Sequence, residues 1–459
     1  MGKIKTTFRE KVGYGFGDMS SSMFWKIFSY YLPFFYSNIF GLTLDQVGLL
    51  LVVTRIWDAV SDPMMGILAD RTESKWGKYR PYLLIMAVPF ALSGIFLFTT
   101  PNASPTMKLV WAYVTYIMMM TVYTGINVPY GAMLGVMTDD SGSKTVLSSY
   151  RMFFAYGGSF IALFCWEPLC NALGGYGTPS GWQHAMFVIA ALCLVLFLLC
   201  FRMTKEKVKP EAAGSVGKDF KSLLRNAPWW LLVGAALCSN LFNTVRGSTI
   251  AYFFNDVISQ DAHLNLGPLS FVFYAGLFLS IGEVCNMVGV ALAVPFSKAL
   301  GKKTTYVISL IALIVLSISF FYVPVTAYWM MLVLQIVISI FTGIISPLVW
   351  SMYADVADFA EDRDGSSSTG LIFSSGSMAQ KFGGAFGGAA VMWMLSGFGY
   401  NPDAAVQTAS AVNGLKILMS WIPAAVAALS LIVMFFYPLT TRKMEEIQNS
   451  LSLKRNIEL

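Results

Sequence analysis

Apolar residues recur in long runs along the whole chain, at residues 27–53, 82–100, 109–137, 183–201, 228–253, 266–297, 304–350, 366–396 and 411–437. A helix needs about 20 apolar residues to cross a bilayer. The longest runs divide at turn or polar signals. The pattern therefore predicts twelve helices, near residues 13–38, 44–69, 79–100, 107–136, 147–171, 181–202, 227–256, 268–297, 303–323, 327–357, 368–397 and 411–437. The expected class is an all-α integral membrane protein. One long polar stretch, TKEKVKPEAAGSVGKDFKSLLRN at 204–226, divides it. The predicted parts are a six-helix bundle at 1–203, a cytoplasmic loop at 204–226, a second six-helix bundle at 227–438 and a cytoplasmic tail at 439–459.

Composition agrees with a membrane solvent. Of 459 residues, 56% are hydrophobic and 12% charged, against roughly 25% charged in soluble domains. Lys and Arg concentrate on one side of the predicted spans: Lys3, Lys5, Arg9 and Lys11; Arg71, Lys75, Lys78 and Arg80; Lys205, Lys207, Lys209, Lys218, Lys221 and Arg225; Lys298, Lys302 and Lys303; and Arg442, Lys443, Lys454 and Arg455. Both termini are read as cytoplasmic, in the inner membrane of a cell. The net charge of +6 follows from this bias and gives no reason to expect a nucleic-acid partner. The first helix reads as an uncleaved span, with no small-residue cleavage site after a short apolar core. Six cysteines lie in or near apolar segments without paired spacing, and the two histidines, His184 and His263, fall in short outer segments. No metal set and no nucleophile–base set emerges, so an enzyme is not expected.

The two halves echo each other. ADRTESKWGKYRPYLL after the second helix resembles PFSKALGKKTTYVISL after the eighth, and NVPYGAMLGVMTDD (127–140) resembles SPLVWSMYADVAD (346–358). Parallel six-helix repeats with a site between them are a common secondary-transporter layout.

Charges within the spans carry the candidate chemistry, because a charge at the bilayer centre costs about 3 kcal/mol or more unless it faces a cavity or a partner. They are Asp18 and Lys26 in helix 1, Arg55, Asp58 and Asp62 in helix 2, Arg151 in helix 5, Arg246 in helix 7, Glu283 in helix 8 and Lys381 in helix 11, with Asp355 and Asp358 near the inner end of helix 10. Asp58 and Asp62 are the most specific pair. At i and i+4 they share a face and repel, so Arg55, a proton or a small cation must neutralise them. Ser61 and Thr124 offer neutral oxygens to a hard cation. The competing reading is a salt-bridge cluster with Arg55 and Lys381. Pro63 should disfavour regular helix at Asp62 and free a carbonyl before it. Asp18, Ser22 and Lys26 stack at i+4 steps between Tyr14 and Tyr30, a polar and aromatic stripe suited to a sugar. Arg246 offers a fixed donor fork, or else an inter-helix salt bridge with Glu283. The loop DRTESKWGKYRP (70–81) is a candidate latch pairing with Asp139, Asp140 or Asp358, or simply a topological signal.

The stretch TRIWDAVSDPMMGILADRTESKWGKYRPYLL, with YGFGD, INVPYGAML, YRMFFA, ADVADFAE and AQKFGGAFGG, resembles the glycoside–pentoside–hexuronide:cation symporter family of the major facilitator superfamily. The resemblance implies a symporter importing a sugar or glycoside with Na⁺, H⁺ or Li⁺ by alternating access, with no cofactor beyond that ion and a monomeric state. It implies a cation site of Asp58, Asp62, Ser61 and Thr124. It places Tyr123, Arg151 and Lys381 near the sugar, with Asp18, Ser22, Lys26, Asn127, Arg246 and Ser377 completing the substrate set. Coupling and gating fall to Arg55, Lys381, Asp355, Asp358, Arg71, Lys78 and Arg80. Where melibiose-transporting members have a Lys–Asp pair, an Asp and a Trp, this chain has Ser21–Ser22, Asn127 and Gly131, which speaks against their galactoside mode; Asn-x-Pro-Tyr-Gly from Asn127 and Arg246 in helix 7 resemble pentoside and hexuronide members. A lysolipid or other amphiphile transporter of the same fold, and a non-transporting sensor, are the alternative readings.

Overall fold

The structure is a computed structural model that describes residues 6–138, 140–208, 225–259, 261–266, 268–364 and 369–457. Lys3, Lys5, Asp139, Lys209, Lys218 and Lys221 lie outside the described residues. The chain forms two compact units: Met1–Ala212 with Tyr274–Glu283 and Asn401–Ala405, and Ala213–Phe273 with Val284–Tyr400 and Val406–Leu459.

The first unit carries α1 (Phe8–Tyr30), α2 (Leu44–Asp70), α3 (Ala87–Leu97), α4 (Pro105–Met137), α5 (Ser141–Ala172) and α6 (Pro179–Met203). Apart from α3, its helices begin where a side chain satisfies an orphan N–H group. α1 starts before its apolar run because Thr7 and Glu10 form a capping box, with Glu10 N–H donating to Thr7 Oγ1 at 3.2 Å and Thr7 N–H to Glu10 Oε2 at 2.8 Å. Thr43 and Gln46 repeat the device at α2. Ser104, Asp140 and Thr178 cap α4, α5 and α6. α1 packs on α5 and α6, α2 on α4, and α3 on α4 and α6.

The second unit holds α7 (Ala227–Asp256), a β-hairpin, the larger part of α8 (Ala275–Leu300), α9 (Lys302–Phe321), α10 (Tyr328–Asp364), α11 (Thr369–Gly397), α12 (Ala409–Met419), α13 (Trp421–Phe435) and α14 (Thr441–Ile457). α7 packs on α11 and α13, and α9 on α10 and α13. α8 crosses α10 at Gly289 and Gly343, where a Cβ on either would overlap a carbonyl oxygen of the other helix. These pairings repeat those of α1, α2 and α3 in the first unit.

Four predicted elements differ in form. The first span is not one helix: α1 ends at Tyr30, Leu32–Phe34 follows, and Phe35–Phe40 is π-helical up to Gly41 at φ 88. Helix 3 begins as a separate turn, Arg80–Ile85, before α3. Helix 8 starts later than predicted because β1 (His263–Leu266) and β2 (Leu269–Val272) pair antiparallel, His263 opposite Val272. The last span breaks at Ser420, between α12 and α13. The segment predicted as a polar tail contains α14, whose Met444, Ile447 and Leu451 are spaced to share one face and are buried with the second unit's core. Among the described residues, seven helices are long and apolar enough to cross a membrane. α1, α2, α7 and α11 fall outside that set and carry most of the charges considered next.

Candidate functional site

The helix geometry of α2 brings Asp58 and Asp62 to one point, and α4 meets them there. Thr124 Oγ1 lies 2.8 Å from Asp62 Oδ1 and 3.4 Å from Asp58 Oδ1. A hydroxyl has one proton to donate, so it serves one carboxylate at a time. Arg55 Nη1 lies 3.2 Å from Asp58 Oδ2. Within the first unit Arg55 therefore offsets one of the two carboxylate charges. Asp58, Arg55, Ser61 and Thr124 are buried, and Asp62 is half-buried. Ser61 donates to the Asp58 carbonyl oxygen at 3.3 Å. The two helices are pinned one turn away, where Trp57 Nε1 donates to Thr121 Oγ1 at 2.8 Å. The expected disruption at Asp62 is absent: α2 runs unbroken through Pro63 to Asp70. The proline instead leaves the carbonyl of Ala59, between Asp58 and Asp62 in sequence, without its intrahelical donor.

A second wall is built on α1. Asp18 Oδ2 accepts from Arg151 Nε on α5 at 2.8 Å, and the Arg151 guanidinium lies 5.3 Å from the centre of the Tyr130 ring. Tyr130 stacks on Tyr14 at 4.7 Å and donates to the Tyr14 carbonyl at 2.6 Å. Gly17 admits this ring, since a Cβ there would overlap Tyr130. That explains the small residues of YGFGD in packing terms. Two turns beyond Asp18, Lys26 Nζ meets Glu283 Oε1 at 2.5 Å and Tyr30 Oη at 3.3 Å. The Arg151 and Lys26 side chains keep 36% and 22% of their surface exposed, and charged heads of this kind need water rather than lipid. Asn127 donates to the Tyr123 carbonyl at 3.1 Å. Ser22 is half-buried on the α1 stripe. Ser21 turns into its own helix, bonded to the Gly17 carbonyl at 3.1 Å.

Trp25, which the sequence reading passed over, joins the two walls. Its ring lies 4.6 Å from the Arg55 guanidinium carbon and 5.5 Å from the Tyr123 ring. The signal was present: residue 25 lies i+3 from Ser22 and i+7 from Asp18, on the polar face itself.

The other predicted residues have different surroundings. Arg246 is buried in the second unit, with Nη1 on the Met419 carbonyl and Nη2 on Gln335 Oε1, both at 2.7 Å, and Phe320 under its guanidinium. Pro423 cannot donate to Met419, so Arg246 supplies the missing partner at the α12–α13 break. Both terminal nitrogens of its fork are thus engaged by groups of the second unit. Asp355 pairs with Lys302 at 2.7 Å, and Asp358 lies one turn further along α10. Ser377 is exposed and Lys381 half-buried on α11. In the 70–81 loop, Arg71 is the C-cap of α2. The main partner of this loop is Glu206, unforeseen from sequence. Its carboxylate accepts the N–H groups of Lys78, Tyr79 and Arg80 at 2.8, 2.7 and 2.8 Å. Gly77, at φ 113, is required there because a Cβ would meet that carboxylate. Arg80 Nη2 donates to the Phe201 carbonyl at 2.7 Å. Burial pushes the Tyr79 phenol up to about 12, helped by its bond to Asp70. Asp140 caps α5 through Ser143 N–H at 2.9 Å.

The sequence profile described as MFS/sugar transport protein matches residues 13–441. The chain belongs to this family. It is 33% identical to the inner membrane symporter YicJ of Escherichia coli (strain K12), covering 97% of this chain and 95% of the relative. It is 34% identical to the putative glycoside/cation symporter YagG of the same organism, over 97% and 95%. It is 32% identical to the isoprimeverose transporter of Lactiplantibacillus pentosus, over 93% and 88%. Among solved structures, the nucleoside transporter NupG superposes with a TM-score of 0.66 at 14% identity, covering 94% of this chain and 100% of that one. The fold is that of the major facilitator superfamily.

Proposed function

We propose that the chain is a multi-pass symporter of the cytoplasmic membrane, with twelve spans and both termini inside, that imports a sugar or glycoside with a monovalent cation by alternating access. It works as a monomer and catalyses no covalent chemistry. The observation that carries this reading is the convergence of Asp58 and Asp62 on one Thr124 hydroxyl, with Arg55 on Asp58. Two like charges sharing one hydroxyl repel at low dielectric, and a Na⁺ or proton among them relieves that repulsion. Thr124 and Ser61 add neutral oxygens, and the Ala59 carbonyl freed by Pro63 supplies another. A cation among these oxygens competes with Arg55 for Asp58. Trp25 touches both Arg55 and Tyr123, so a shift of the guanidinium moves the aromatic floor of the α1 stripe. Asp18, Ser22, Lys26, Asn127 and Arg151 line that stripe and hold sugar hydroxyls. Linkage is reciprocal: whatever factor the cation adds to sugar affinity, the sugar adds to cation affinity.

The test is uptake into membrane vesicles under an imposed Na⁺ or H⁺ gradient, with isoprimeverose, methyl β-D-xyloside, methyl β-D-glucoside and methyl β-D-glucuronide as the panel. Accumulation above equilibrium under one gradient, abolished in Asp62→Asn, is the expected result. An inserted, folded protein that concentrates no member under either gradient rejects the reading.

A further inference from the structure

Glu283 lies on α8 but belongs to the first unit, with the rest of Tyr274–Glu283. The segment is fastened to α5 at several points. Tyr274 Oη donates to the Phe164 carbonyl at 2.9 Å, Gly276 N–H to Glu167 Oε1 at 2.9 Å, and Ser280 Oγ to the Phe160 carbonyl at 3.4 Å. Gly276 lies so close that a Cβ would overlap the Leu163 carbonyl oxygen. The backbone that aims Glu283 at Lys26 is therefore held in place.

The carboxylate itself is half used. Glu283 is 3% exposed, and Oε1 takes Lys26 at 2.5 Å. Oε2 is buried with no hydrogen-bond partner among the described residues. A buried acceptor without a donor is costly, and each such group in a native structure calls for an explanation. Lys26 is also incompletely used: an ammonium has three donors, and its contacts among the described residues are Glu283 and Tyr30. The pair thus presents an open acceptor beside an open donor, on the partly exposed stripe that carries Ser22 and Trp25. Adjacent ring hydroxyls fit this arrangement, one donating to Oε2 and its neighbour accepting from Nζ. The pair is neutral as a whole. A substrate carboxylate brought to the same place would meet the Glu283 charge at low dielectric.

We infer that Lys26 and Glu283 form a substrate subsite for a vicinal diol on an uncharged part of the sugar, separate from the Asp18–Arg151 pair. This rests on the reading of the chain as a sugar symporter. It adds Glu283 to the binding residues and makes the preferred substrate a neutral glycoside.

The experiment pairs a protein change with a substrate change. The probe is the best-transported member of the panel above, with its monodeoxy analogues, each lacking one ring hydroxyl. In the unaltered protein, loss of either hydroxyl of the diol should raise the half-saturating concentration roughly tenfold or more. In Glu283→Gln the penalty for the hydroxyl that faces Oε2 should fall to within about twofold, with penalties at hydroxyls outside the diol unchanged. Because Glu283→Gln strands the Lys26 charge, the double variant Lys26→Met/Glu283→Leu provides a second arm. It should insert and keep cation binding, yet lose discrimination at both hydroxyls. Equal deoxy penalties in the unaltered protein and Glu283→Gln overturn the subsite while leaving sugar symport standing. So does full sugar affinity in the double variant, or preference for the glucuronide over the neutral glycosides. Failure of the unaltered protein to concentrate any panel member removes both conclusions together.

Discussion

Asp62→Asn tests the cation site with the least collateral damage. The change keeps the side chain's size and a carbonyl oxygen but removes one unit of charge. The Thr124 hydroxyl is 2.8 Å from the altered atom, so a cation seated in the cluster lies within about 4 Å of the lost charge. At an effective dielectric constant of about 20, that attraction is about 4 kcal/mol. Asp62 is half-buried, and water reaching it reduces the effect, so about 2–4 kcal/mol is the working range. This corresponds to a cation affinity lower by roughly 30- to 700-fold. The assay is the cation concentration that half-maximally stimulates uptake of a saturating sugar, alongside downhill sugar efflux without cation. Efflux should persist, because the α1 stripe is untouched. A half-saturating cation concentration within about twofold of the unaltered protein would refute the reasoning.

Asp58→Asn should behave differently: it takes the carboxylate from buried Arg55 and leaves it the Trp25 face, which should cost about 1–3 kcal/mol of stability, seen as a lower unfolding temperature in detergent. Trp25→Ala should leave the cation dependence of the sugar-free protein nearly intact but reduce the mutual enhancement of sugar and cation binding toward one, measured by titrating each at fixed levels of the other. Gly77→Ala places a side chain at φ 113 against Glu206 and should cost about 1–3 kcal/mol. Uptake rate should fall with it, and an unchanged unfolding temperature would remove the argument for the loop. Arg246→Lys loses the two-pronged contact with Met419 and Gln335, costing about 1–2 kcal/mol, with the half-saturating sugar concentration unchanged. A large change in that concentration would return Arg246 to the substrate site.

What was legible in the sequence follows the range of each interaction. Asp58, Asp62 and Arg55 could be placed together because a helix fixes residues three and four apart, and α2 stays helical through Pro63. The α1 stripe was readable for the same reason. The Asp18–Arg151 pair was not, since its partners stand 133 positions apart and each had several candidate mates. Arg246 looked like a binding residue because it is a charge in an apolar run. Its cause is an orphaned carbonyl created by Pro423 on a distant helix, which only tertiary structure reveals. Glu206 was hidden for the opposite reason, being an ordinary acid in a polar linker whose role arises from three backbone N–H groups elsewhere. The tail helix was missed although Met444, Ile447 and Leu451 mark it, because length and polarity were weighed above spacing.

Coupling requires one group whose position depends on the cation and is felt by the sugar. The contacts narrow the choice. Thr124 touches both carboxylates through one hydroxyl. Lys26 and Arg151 reach the stripe, yet each is held by its own carboxylate, Glu283 or Asp18. Arg55 meets a carboxylate of the proposed cation site and an aromatic ring of the stripe at once. Its bond to Asp58, at 3.2 Å, is the longest of the three ion pairs, whereas Trp25 is a face against which a guanidinium keeps stabilisation after losing a carboxylate. A cation that takes Asp58 therefore does not strand Arg55. In the proposed cycle it shifts the balance of an existing two-sided contact toward Trp25, beside Tyr123, so the tryptophan would link cation binding to sugar binding.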